Sequence, residues 1–155
     1  MIGACSLYRK VLVLCADSDS AAPAVAVVID YALARSTEVL VLHVVHPKEY
    51  LDFASQHEYD RVTPLPVDAL QSFEQKLAPV LEHFADSGIP ARLYLETGEP
   101  SSKICEFAQA QEVDLIVMTR GSMGFWEKLF KRSVSEYLLR NAPCSLLVAQ
   151  QDDGL

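Results

Sequence analysis

The sequence predicts an α/β chain: a doubly wound, five-stranded parallel sheet with helices on both faces. Three observations carry that expectation. Short apolar, β-branched runs recur at 11–15, 39–45, 91–95, 115–118 and 146–149. Four of them are near-continuous rather than alternating, the pattern of strands covered on both faces. Helical periodicity fills the gaps, so the order is β-α-β-α-β-α-β-α-β, and right-handed crossovers then place helices on both sides of the sheet.

The elements follow in order. Val11–Cys15 is the first strand. Ala24, Val27, Val28 and Tyr31 repeat with a helical period after it, with Pro23 expected in the first turn, where its missing N–H costs nothing. Val39–Val45 is the second strand. His46 to Pro66 is a long connection rich in polar and aromatic residues, with a short helix possible near Lys48–His57. Leu70, Phe73, Leu77, Leu81 and Phe84 form the clearest apolar stripe, closed by Ser87, Gly88 and Pro90; Pro79 inside it is expected to kink or divide the helix. Ala91–Leu95 partly alternates, as a more exposed edge strand would. Ile104, Phe107 and Ala108 make a shorter helix opened by Pro100 and Ser101. Leu115–Met118 is the fourth strand. Val134, Tyr137, Leu138 and Asn141 mark the last helix, stopped before Pro143, and Leu146–Ala149 is the final strand.

At 155 residues the chain reads as one domain, 1–155, with ends at 1–8 and 150–155 expected to be flexible. A chain of that size buries roughly 70% of its unfolded surface, so no disulfide or metal staple is needed. The net charge of −8 argues against nucleic acid or an anionic membrane as partner. No apolar run approaches the roughly 18–20 residues of a membrane span. The first ten residues, MIGACSLYRK, place their positive charges after a short, weakly apolar piece, the reverse of a secretory signal, so a cytoplasmic location is expected. Cys5, Cys15, Cys105 and Cys144 share no metal-ligand spacing and read as reduced, buried or half-buried thiols. His43, His46, His57 and His83 lack a completing Cys or carboxylate set and read as structural or surface histidines. No nucleophile elbow, H-E-x-x-H or Walker A motif is present, so no catalytic residue is assigned.

Several local motifs fall in a recognisable order. VLVLCADSD at 11–19, VLVLHVV at 39–45, Gly98-Glu99-Pro100, DLIVM at 114–118 and SVSEYLLRNAPC at 133–144 together resemble the universal stress protein family over about residues 9–149. The resemblance implies a Rossmann-like doubly wound sheet, a homodimer formed through the 144–149 strand, and a role in stress tolerance. It also implies, for many members, ATP or AMP binding through Gly-x-x-Gly, nine residues, then Gly-Ser/Thr, beside the methionine that ends strand four. Glycines there let phosphates approach backbone N–H groups. The family's adenine contacts fall on Asp17 and on the backbone of Val44.

Aligned without gaps from Met118 to Ser133, this chain places Thr119, Ser122 and Arg132 at the three glycine positions, and only Ser133 keeps its identity. An alternative register uses Gly121 and Gly124, with Arg120 beside them. Part of the family lacks the glycine motif and does not bind ATP, and its aromatic-basic loop is similar to Phe125-Trp126-Glu127-Lys128-Leu129. This chain is nearest that branch. Arg120, Lys128, Lys131 and Arg132 against Glu127 give a local charge of +3. They read either as a solvated basic loop before a helix capped by Ser133 and Glu136, or as an anion pocket of Arg120, Arg132 and first-turn N–H groups. Asp17 reads as a ligand contact or as a helix cap. Trp126 with Phe125 reads as packing or as an interface anchor.

Three functions stand side by side. The first is a non-enzymatic, dimeric stress protein that works through an unknown protein partner, with weak or no ATP binding and no cofactor. The second is an AMP- or ATP-binding regulatory module using the 119–133 loop, with Mg²⁺ only if phosphate is bound. The third is an enzyme such as a slow ATPase, which would need a nucleophile, base or metal site.

Overall fold

The computed structural model describes residues 8–33, 36–46, 49, 67–130 and 133–150. Its elements run β1 (Lys10–Leu14), α1 (Ser18–Leu33), β2 (Glu38–Val45), α2 (Val67–Asp86), β3 (Ala91–Thr97), α3 (Pro100–Ala110), β4 (Leu115–Thr119), α4 (Arg120–Phe130), α5 (Val134–Asn141) and β5 (Ser145–Ala149). All strand pairs are parallel and the order is β3-β2-β1-β4-β5. The expected fold is therefore the observed one.

The near-continuous apolar runs serve two cores. Because side chains alternate along a strand, Val11 and Val13 of β1, with Cys15 just after it, pack into a cluster with Val25 and Val28 of α1 and Leu77 and Phe84 of α2. Leu12 and Leu14 point the other way, to Ile104 and Phe107 of α3, Trp126 of α4 and Leu138 of α5. β3 lies at one edge and is half-exposed, as its alternation suggested. β5 lies at the other.

Local chemistry sets the ends. Asp17 precedes α1 and its Oδ1 accepts the Ser20 N–H at 2.8 Å. α2 closes through Gly88 at φ +77°, with the Ile89 N–H donating to the Phe84 carbonyl at 2.8 Å, the six-to-one bond of a Schellman turn. Glu99 caps α3 by accepting from Ser101 N at 3.2 Å and Ser102 N at 2.8 Å. Burial alone would raise the Glu99 carboxyl, but these hydrogen bonds outweigh it and hold the group below its usual range. At the opposite end of the sheet, Asp114 Oδ2 accepts both the Arg9 and the Lys10 N–H, tying β4 to the start of β1.

Three expectations change. α1 begins at Ser18, so Pro23 sits in its second turn rather than its first. α2 runs undivided through Pro79, with Ala69, Phe73, Leu77, Val80 and Phe84 buried along it. Burial on both sides of the proline outweighs the one lost hydrogen bond. Val27 faces solvent, and Ala21, Ala24, Val25, Val28 and Ala32 form the buried face of α1 instead. Of the helix expected near Lys48–His57 only Glu49 lies within the described residues.

Candidate functional site

β1 leads outward to β2 on one side and β4 leads to β5 on the other, so their carboxyl ends flank the topological switch point where open α/β sheets bind ligands. Ala16 and Asp17 follow β1 there, and Thr119 ends β4 just before Arg120 opens α4.

The basic segment after β4 is a helix, not a loop. Residues 120–130 form α4, which buries Ser122, Met123 and Trp126 and exposes Arg120 and Lys128. The helical spacing of those buried residues was concealed by two glycines and by the family expectation of a phosphate loop. Lys131 and Arg132 lie outside the described residues.

The two residues at the first two glycine positions are both buried and both engaged. Thr119 Oγ1 donates to the Ser20 carbonyl at 2.7 Å and accepts the Ser122 N–H at 3.1 Å. Ser122 Oγ in turn accepts the Ala16 N–H at 3.3 Å and meets Ser20 Oγ at 3.4 Å. Asp17 takes the Ser20 N–H, and Ser133 Oγ accepts the Glu136 N–H at 3.1 Å as the cap of α5. Glu136 does not complete the capping box; its carboxylate lies 3.3 Å from Arg140 one turn on. Ser20 had no role in the sequence reading, and it stitches α1 to α4.

Gly121 and Gly124 do different work from each other. A Cβ on Gly121 would lie 2.8 Å from the Ser20 Cβ, so this glycine lets α4 approach α1. Around Gly124 the space is open.

Met118 and Val44 are core residues, 1% and 0% exposed. Trp126 is fully buried too, and its Nε1–H donates to the Val44 carbonyl at 3.1 Å. Of the two roles read for it, packing is the one seen. The signal was present in the sequence, since a buried indole needs an acceptor. Beside it His43 is 1% exposed, with Nδ1 2.7 Å from the Cys15 carbonyl and Nε2 3.2 Å from Glu49 Oε1. Its ring stacks on Trp126, with centroids 6.3 Å apart and planes at 24°. Phe73 and Phe125 complete the aromatic layer.

Two clefts lie here: one of about 460 Å³ against Ser20, Thr119, Arg120 and Gly121, and one of about 320 Å³ whose lining includes Asp17, Asp19, Glu49, Lys76, Phe73 and Phe125. In the smaller, three carboxylates against one ammonium is the wrong sign for a phosphate. Burial pushes the Cys15 thiol up to about 12, with Asp17 adding to it, so that sulfur is no thiolate nucleophile at neutral pH. Among the described residues no group of three or more His, Cys, Asp or Glu side chains is placed to hold a metal ion. Among them also, no helix is long and apolar enough to cross a membrane.

A doubly wound parallel sheet with a crevice at the carboxyl ends of β1 and β4 defines the Rossmann-like class of open α/β folds, whose ligand sites fall at that point. Within that class the chain belongs to the universal stress protein family, whose profile matches residues 7–150. A universal stress protein of Methanocaldococcus jannaschii is 27% identical over 147 residues, covering 94% of this chain and 84% of that one. In fold the chain is similar to the universal stress protein of Archaeoglobus fulgidus in complex with dAMP, with a TM-score of 0.65, 16% identity, and coverage of 93% of this chain and 99% of that one. It is similar also to an Arabidopsis thaliana family member with AMP bound, with a TM-score of 0.62, 17% identity, and coverage of 93% and 92%.

Proposed function

We propose that this chain is a non-enzymatic, cytoplasmic universal stress protein of the branch lacking the full glycine motif. It supports stress tolerance through protein contacts, with weak or no ATP binding. One observation carries the reading: four backbone donors around the crevice are answered by the chain's own oxygens. The N–H groups of Ala16, Ser20, Ser122 and Glu136 go to Ser122, Asp17, Thr119 and Ser133 respectively. An anion at a helix terminus binds through free N–H groups, and a phosphate here would have to displace bonds already made. In the ungapped register Arg132, outside the described residues, replaces the third glycine.

Isothermal titration of ligand-stripped protein with ATP and with AMP, with and without Mg²⁺, is expected to give no saturable binding in the micromolar range. Saturable micromolar binding would favour the nucleotide-binding alternative, with Arg120, Gly121 and Gly124 as its loop.

The proposal includes a homodimer through the 144–149 strand. Among the described residues β5 is a sheet edge paired only with β4, and Val148 on it is 43% exposed. Sedimentation velocity at tens of micromolar should report a dimer; a monomer there rejects this part of the reading.

A further inference from the structure

The Val44 carbonyl is an acceptor that the sheet itself leaves open. β1 pairs with β2 as far as Leu14 opposite Leu42, and the Cys15 N–H closes that side by donating to the Leu42 carbonyl at 3.0 Å. Carbonyls along a strand alternate in direction, so that of Val44, two residues on, points to the same side. There β1 has already turned away into α1. The Val45 carbonyl points oppositely and is met by the Gly98 N–H at 3.3 Å. The end of β2 thus presents one unclaimed carbonyl beside the stacked ring of His43 and the ring of Phe125. An orphan buried carbonyl is costly, and the Trp126 indole answers it while filling the slot with a flat ring.

We propose that Trp126 is a built-in ring ligand. The slot at the end of β2 complements a planar heteroaromatic ring bearing an N–H donor, and Trp126 is the residue that excludes free rings of that class. The fold therefore keeps this half of the crevice filled without any small molecule. The inference rests on the reading above that the crevice is self-occupied, but it concerns the ring half and not the anion half.

The test uses indole as probe, with adenosine and ATP as further arms. Trp126 is the only tryptophan in the chain, so fluorescence reports on it alone. In wild type its emission should be blue-shifted and protected from acrylamide, and millimolar indole should leave the thermal midpoint unchanged. Trp126→Ala should lower the midpoint on the order of 10 °C. Indole should restore part of that loss and bind the variant at least about ten-fold more tightly than wild type, as apolar cavities take up ligands that fit them. Trp126→Phe keeps most of the volume and removes the donor; it should fold and gain no indole binding. Should Trp126→Ala fail to fold alone, its recovery on refolding with indole supports the proposal. A folded Trp126→Ala or Trp126→Leu that indole neither stabilises nor binds overturns it, as does wild type binding indole equally well. The two readings fail separately. In the variant, ATP binding more tightly than adenosine would mean the anion half is open, which contradicts the preceding reading and leaves this one standing.

Discussion

Gly121→Ala should destabilise the protein and Gly124→Ala should stabilise it, although the alternative register pairs the two glycines in one phosphate loop. The new methyl at 121 would come within 2.8 Å of the Ser20 Cβ. That carbon belongs to the first turn of α1 and is no flexible side-chain tip that can swing aside. Moving it disturbs the Thr119 bond to the Ser20 carbonyl and the Ser20–Ser122 hydroxyl contact together. Overpacking of this kind costs about 1–3 kcal/mol, or a fall of several degrees for a chain of this size. Gly124 has open space around it inside the same helix. Alanine there removes backbone freedom from the unfolded chain and gains about 0.5–1 kcal/mol. Urea denaturation of both variants checks the pair. If Gly124→Ala is the damaging one, or if Gly121→Ala is neutral, the close packing of α4 on α1 is not what these glycines serve.

The second large effect is expected at His43. Its Nδ1 faces a carbonyl, which only accepts, so that nitrogen carries a proton. On the other side Nε2 lies 3.2 Å from Glu49 Oε1. Glu49 Oε2 also accepts the His46 N–H, so the carboxylate ties the end of β2 to the residues just after it. His43→Phe keeps a ring among Phe73, Phe125 and Trp126 but leaves the Cys15 carbonyl and one carboxylate oxygen without a donor. Leaving buried acceptors unpaired, one of them charged, costs about 2–4 kcal/mol. Glu49→Gln retains a hydrogen-bonding oxygen and nitrogen, and its cost should be about 1 kcal/mol. The two residues share a bond, so the double variant should cost less than the two singles together. Chemical denaturation reads all three. A His43→Phe protein within about 0.5 kcal/mol of wild type would show that the pair contributes nothing to the fold.

Much of the fold was legible because its signals are local. The unbroken apolar runs at 11–15, 39–45 and 115–118 can be satisfied only by strands covered on both faces, and each has a place in the sheet. Pro100 after a capping Glu99, and Ser133 three residues before Glu136, mark helix starts that need no tertiary information. The segment after β4 was harder. Thr119, Ser122 and the two glycines match no helix-start rule strongly, and a family pattern of similar composition forms a phosphate loop. Only contact with α1 gives these residues their roles, and Ser20 lies about a hundred positions away in the sequence. Trp126 was open for a related reason: composition does not say whether an aromatic side chain points into a core or out to a partner.

By itself, then, the sequence determined the strand and helix order and the parallel α/β class. Each of those follows from periodicity, capping chemistry or residue identity along a short stretch of chain. Only the tertiary structure decided which groups around the crevice meet one another. Hydroxyls from Thr119 and Ser122 answer backbone donors, and the Trp126 indole answers the carbonyl that β1 abandons. Whether a donor or acceptor is free depends on what folds against it, and those partners come from distant positions in the chain.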